Sequence, residues 1–305
     1  MKIALVQQHS TTDRNENLAR GIAAFREAAQ QGVDLVAFAE LAFLRFLPQV
    51  PATPEALGAA EPIPGLTTET FFELCRECGV VAILNLFERC PADGKTYDSS
   101  PVIDADGRLL GITRMAHIME GPGFHEKGYY SPSPEGPRIY DTRAGRVGVA
   151  ICYDRHFPEY LRSLGLLDAE IVVVPQAGAV GEWTEGIFEA ELRVAAFQNG
   201  YFAALVNRVG REEVDHFAGE SYVVGPDGRV IARAPRDRDF ILYADCDLSR
   251  IASSFARRHF LPDRRPGFYK SFKFSIDDRL PAACREEPIV GDSKGVCPLG
   301  RRARV

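Results

Sequence analysis

Short apolar runs recur along this chain, separated by longer stretches with helical spacing. The runs at 3–8, 33–40 (VDLVAFAE), 79–86 (GVVAILNL), 147–152, 170–175 (EIVVVP), 202–207 and 241–247 (ILYADCD) have strand length and predict buried strands. A short strand is also expected at 138–140. Between the runs, residues 17–31 place Leu18, Ile22, Ala23 and Phe25 among charged neighbours, and Gly32 closes the pattern. That is a helix signature. Helices are likewise expected at 67–78, 158–165, 183–199 and 251–258.

Two hairpins are written in turn residues. Asp104, Ala105, Asp106 and Gly107 separate strands at 97–103 and 109–113, and Pro226, Asp227 and Gly228 sit inside 221–234. Residues 115–137 are rich in Gly, His and Pro and have no clean period. Long loops of this kind often carry function. Repeated strand–helix units with interleaved hairpins predict an α/β domain of two sheets flanked by helices. One domain over 1–262 is the simplest partition. From 263 to 305 the sequence turns Arg- and Pro-rich and ends in RRARV, which predicts an extension that contacts another subunit or is partly disordered.

Composition narrows the partners. The chain has 305 residues, 46% of them hydrophobic and 26% charged, with a net charge of −6. The acidic balance argues against nucleic acid or an anionic membrane surface. No run approaches the apolar length of a membrane span, and the N-terminus lacks the pattern of a signal peptide. Seven irregularly spaced cysteines (Cys75, Cys78, Cys90, Cys152, Cys246, Cys284, Cys297) fit a reducing cytoplasm. Cys75 and Cys78 form a CxxC inside an expected helix, with no second pair beside it.

Three residues suggest chemistry. Cys152 ends an apolar run and enters a turn, where a thiol is both fixed and exposed; the competing reading is a small core hydrophobe. Glu40 ends LVAFAE and has the position of a general base, or of a cap or surface charge. Glu126 lies in the long loop, as a site carboxylate or as an ion-pair partner of Lys127 or Arg114. No metal is expected, because His117, His125 and His156 lack zinc-ligand spacing. No cofactor is expected either.

The ordered set of motifs resembles the nitrilase superfamily, the carbon–nitrogen hydrolases. It comprises LVAFAE ending at Glu40, HEKGYY around Glu126, and GVAICYDRHFPE around Cys152. EIVVVP, RVAAFQN, NRVG and FAGES follow in order. The resemblance implies a four-layer αββα sandwich and a Glu–Lys–Cys triad with a second glutamate. Glu40, Cys152 and Glu126 match the acidic and thiol positions. It further implies substrate contacts at Arg155, His125, Tyr153 and Gln176, with the Tyr153 N–H in an oxyanion hole. It also implies a small-molecule substrate and a homodimer or higher homo-oligomer.

One position departs from the pattern. The stretch TRMAH, 113–117, places Met115 where the family has its lysine. Methionine has no charge and donates no hydrogen bond. Losing an oxyanion donor of that kind costs about 3–4 kcal/mol, or roughly 100- to 1000-fold in rate. Three explanations follow: a degenerate member that binds without turnover, a branch in which Arg114 or Lys127 substitutes, or a deliberate replacement. The intact Glu40, Glu126, Cys152 and Asn207 favour a working enzyme.

The run CYDRH resembles the N-carbamoyl-amino-acid amidohydrolases, including β-ureidopropionase. There, an arginine matching Arg155 implies recognition of a substrate carboxylate, which suits a planar guanidinium. The competing reading is a structural salt bridge with Asp154, Glu159 or Glu182. The expected reaction is thiol-dependent hydrolysis of an N-carbamoyl amino acid or related ureido acid. The alternatives are an aliphatic amidase and a catalytically impaired binding or regulatory protein on the same scaffold.

Overall fold

Apolar runs without polar alternation fold here as strands covered on both faces. In the computed structural model, which describes residues 1–269, β1 (Lys2–Gln7) and β2 (Leu35–Phe38) run parallel. β3 (Val81–Ile83), β4 (Leu86–Arg89), β5 (Thr96–Ile103) and β6 (Leu109–Arg114) follow. β7 (Ile139–Thr142), β8 (Gly145–Val149), β9 (Ile171–Gln176) and β10 (Phe202–Asn207) come next. β11 (Val209–Arg211) pairs with β12 (His216–Ala218), and β13 (Tyr222–Val224), β14 (Val230–Arg233) and β15 (Phe240–Asp245) complete the set.

Two mixed sheets result. One has the order β15-β1-β2-β3-β5-β4, with β6 on β5; the other has the order β14-β13-β10-β9-β8-β7. Successive side chains alternate between two cores. Ile3, Leu5, Leu35 and Ala37 face Val147, Val149, Ile171 and Val173 across the sandwich. Ala4, Val6, Val36 and Phe38 point the other way, onto Phe25 and Ala28 of the helix Arg14–Gln30 and Phe71 and Leu74 of the helix Leu66–Cys78. Val172, Val174, Ala203 and Leu205 meet the helices Pro158–Leu166 and Ile187–Asn199 in the same manner. The four-layer αββα sandwich is therefore the observed architecture.

Several expected elements change length. The run 79–86 splits, because the chain leaves β3 at Leu84 and re-enters pairing as β4. The helix expected from 183 starts only at Ile187, after Gly186 turns at φ +86°. That left-handed step suits glycine and separates Trp183 from the helix. Residues 251–258 form two pieces, Ser249–Ser253 and Ala256–Phe260. Cys75 and Cys78 do lie on one helix. Among the described residues, no helix is long and apolar enough to cross a membrane. Of the expected extension, residues from 270 onward lie outside the described residues.

Candidate active site

Parallel strands deliver their C-terminal ends to one edge of the sandwich. Glu40 follows β2, Gln176 ends β9, and Cys152 opens a 3-10 turn, Cys152–His156, after β8. The thiol is therefore not on the strand itself but just past it, at φ +43°. Leu41, next to Glu40, has φ +45°. Non-glycine residues with left-handed backbone cost energy and persist where surroundings enforce them.

The enforcing contacts are visible. Buried Asp154 accepts from the N–H groups of Ile151 (3.3 Å) and His117 (3.0 Å), tying the nucleophile turn to the chain after β6. His117 Nδ1 lies 2.7 Å from Asp154, and its ring stacks on Phe157 at 3.5 Å. Buried Arg208 donates to the carbonyls of Glu40 (2.8 Å) and Leu41 (2.6 Å) and pairs with Glu212. Asn207 clamps the backbone of Gly178 and Gly219, holding the loop after β9.

One ligating atom each from Glu40, Glu126 and Cys152 lies within 4.8 Å of the others, and all three residues are buried. Gln176 Nε2 donates to Cys152 Sγ at 3.2 Å. Glu126 sits on the 3-10 turn Glu126–Gly128, and its Oε2 accepts from the Met119 N–H at 3.0 Å. Burial first, then Glu40 and Glu126, pushes the Cys152 thiol well above its ordinary range. Burial, then Asp98 and Glu126, raises Glu40; burial is also the main cause at Glu126. Burial thus favours the neutral form of each of the three groups.

The other candidates are placed as follows. Tyr153 is half-buried beside the thiol. His125 Nδ1 lies 3.1 Å from Glu120. Arg155 is buried and ion-paired with Glu191 at 2.9 Å, not with Asp154, Glu159 or Glu182. The helix Ile187–Asn199 brings Glu191 there, a neighbour that sequence spacing does not reveal. Arg155 Nη1 donates to the Phe188 carbonyl, while Nε and Nη2 are buried without an acceptor.

Met115 is fully buried in the core cluster that contains Cys152. Neither expected stand-in takes over a lysine's place. Arg114 is forked on Glu88 (2.7 and 2.6 Å) and lies over the Tyr97 ring, because a buried carboxylate on β4, across β5, claims it. Lys127 is exposed. Glu126 is accordingly paired with neither cation.

Sequence reasoning missed Asp98, Asn85 and Arg208. Asp98 had a signal: it is a carboxylate in the middle of the strand run TYDSSPVI. Asn85 donates to it at 2.5 Å. Glu182, on the loop before Ile187, carries a carboxyl raised by burial and lies near Arg155 and His156.

The Carbon-nitrogen hydrolase family profile matches residues 2–254. The chain belongs to the carbon–nitrogen hydrolases. This hydrolase is 33% identical to the N-carbamoylputrescine amidase of Solanum lycopersicum, over 88% of its own length and 93% of the relative's. It is 31% identical to the citrullinase of Francisella tularensis, over 88% and 96%. Its fold matches the carbon-nitrogen hydrolase of Helicobacter pylori G27 with a TM-score of 0.82 at 30% identity, covering 88% and 97%. A cysteine-centred hydrolase on the nitrilase scaffold accounts for the fold and the site together.

Proposed function

We propose that this hydrolase cleaves the C–N bond of an N-carbamoyl amino acid through a covalent Cys152 intermediate. The convergence of Glu40, Glu126 and Cys152, with Gln176 on the sulfur, supports the nucleophile. The thiol proton passes to Glu40, and the sulfur attacks the carbamoyl carbon. The Tyr153 N–H stabilises the oxyanion. Glu40 returns a proton to the leaving amine, and then activates water against the carbamoyl-enzyme. Glu126 orients Glu40 and the substrate amide. The products are the amine, carbon dioxide and ammonia.

The ureido class is supported by the two relatives whose names specify N-carbamoylputrescine and citrulline, both ureido compounds. A carboxylate on the substrate is supported by Arg155, whose Nε and Nη2 are buried donors awaiting an acceptor. Such groups cost free energy unless a partner arrives.

The test is ammonia release from N-carbamoyl amino acids, citrulline, N-carbamoylputrescine, aliphatic amides and nitriles. N-carbamoyl amino acids are expected to give the highest kcat/KM. A preference for a simple amide establishes the amidase reading instead. The buried Met115 favours one further reading, a binding protein on the same scaffold. That reading requires no turnover of any compound and a gain of activity in M115K.

The two carboxylates and thiol also have the makings of a metal-binding set. In the proposed reaction the sulfur must be free to attack. Treatment with a chelator is therefore expected to leave the steady-state rate unchanged. A rate that collapses with EDTA and returns with a divalent ion contradicts the mechanism.

A further inference from the structure

Three acidic or thiol side chains from three separate elements meet with no cation among them. Glu40 follows β2, Glu126 sits on its own 3-10 turn, and Cys152 opens the turn after β8. One ligating atom from each lies within 4.8 Å of the other two. Glu40 and Glu126 are fully buried, and Cys152 is 5% exposed. Both oxygens of Glu40 and Oε1 of Glu126 have no hydrogen-bond partner. Buried acceptors of that kind cost free energy until a donor or a cation reaches them. Among the described residues, no Lys, Arg or His is ion-paired with either carboxyl. Arg114 is held by Glu88, Arg155 by Glu191 and Arg208 by Glu212. His117, His125 and His156 are engaged by Asp154, Glu120 and Glu191.

We propose that Glu40, Glu126 and Cys152 form a site for a thiophilic divalent cation of the zinc class, whose binding reversibly silences the nucleophile. Two carboxylates and one sulfur suit zinc, whereas magnesium and calcium take oxygen ligands alone. Zinc binds sulfur at about 2.3 Å and carboxylate oxygen at about 2.0–2.2 Å, so a tetrahedral ion holds such ligands about 3.4–3.6 Å apart. Atoms within 4.8 Å of one another have little further to close. Turning the Glu40 carboxyl inward breaks no hydrogen bond, because its oxygens have none. Water fills the fourth position. On binding, the S–H bond breaks, a sulfur–zinc bond forms, and the proton leaves to solvent. A proton on either carboxyl leaves the same way, and no electron is transferred.

The neighbours hold these ligands in place. The Met119 N–H donates to Glu126 Oε2 at 3.0 Å and leaves Oε1 for the ion. Gln176 Nε2 donates to Cys152 Sγ at 3.2 Å, a bond that a metal-bound thiolate keeps. Arg208 fixes the Glu40 carbonyl at 2.8 Å, and Asp154 holds the Ile151 N–H at 3.3 Å. Support of this kind sets metal affinity. A sulfur bound to zinc cannot attack a carbonyl carbon, so the ion and the substrate exclude each other.

The inference shares Cys152 and Glu40 with the proposed mechanism, but zinc binding is read without substrate. Chelator-treated full-length protein is titrated calorimetrically with zinc chloride, and with magnesium chloride as the oxygen-preferring control. Zinc is expected to bind and magnesium is not. C152A should lose the ion. E126Q should bind it at least about 10-fold more weakly, since even outer partners of a metal are worth that much. One equivalent of zinc should slow iodoacetamide alkylation of Cys152, followed by mass spectrometry with Cys75, Cys90 and Cys246 as internal references. Zinc-edge X-ray absorption of the wild type should show one sulfur among oxygen ligands. Unchanged affinity in C152A or E126Q overturns the proposal, as does magnesium binding of equal strength. An unprotected Cys152 or a shell of two or more sulfurs also overturns it, and neither reading depends on a variant that folds. In steady state zinc should compete with whichever compound is turned over, and a rate that rises with zinc overturns the silencing. Zinc on Cys152 without cleavage of any ureido compound keeps the site and removes the substrate proposal. Ureido cleavage unaffected by saturating zinc does the reverse.

Discussion

C152A is expected to lose turnover of its best substrate by at least about 10⁴-fold, because no neighbouring group can form the covalent intermediate. Gln176 donates to the sulfur and cannot attack. The effect belongs on kcat, since Glu40, Glu126 and the ion-paired Arg155 keep their places. Fold loss is not expected at this position: removing one sulfur leaves the buried cluster that holds Cys152 and Met115 otherwise intact. Thermal unfolding of C152A should therefore stay within a few degrees of the wild type. Ammonia release that survives in C152A would dismiss the nucleophile assignment.

E40Q carries the second largest expected effect, about 10²- to 10⁴-fold in kcat. Glutamine is the same size and sits behind the same strand, so the position is filled and the proton traffic is stopped. Both half-reactions need that carboxyl: one to accept the thiol proton, the other to activate water. No carbamoyl-enzyme should accumulate in rapid-quench mass spectrometry, because the first half is blocked as well. The pH dependence has a definite sign. Glu40 is raised by burial, by Asp98 and by Glu126, so it is protonated over a wider range than an exposed glutamate. Activity therefore increases as the pH rises out of the acid range and Glu40 gives up its proton. E40Q should show no such limb in its residual rate. A mutant with more than a tenth of wild-type kcat would remove Glu40 from the role of base.

Much of this could be read before any fold was known. The runs at 33–40, 147–152 and 170–175 became β2, β8 and β9 with small changes at their ends. Their apolar character is legible because both faces of each strand are buried. Glu40, Glu126 and Cys152 were legible as polar residues at the ends of such runs or in an irregular loop. The partners of charged groups were not. Arg155 finds Glu191, which is distant in sequence and arrives on another helix. Arg114 finds Glu88 across two strand pairings, β4 with β5 and β5 with β6. Local spacing carries no information on either choice.

The sequence by itself pointed to two sheets flanked by helices through its periodicity, and to the family and the candidate thiol Cys152 through its ordered motifs, because both are local properties of the chain. Only the tertiary structure decided how charge is handled around that thiol. It buried Met115 in the core cluster that holds Cys152 and paired Arg114 with Glu88. It also set Asn85 between the Leu41 N–H, next to Glu40, and the buried Asp98 of β5. Charge balance in a buried site depends on what folds against it, and a carboxylate in low dielectric must find either a cation or a proton.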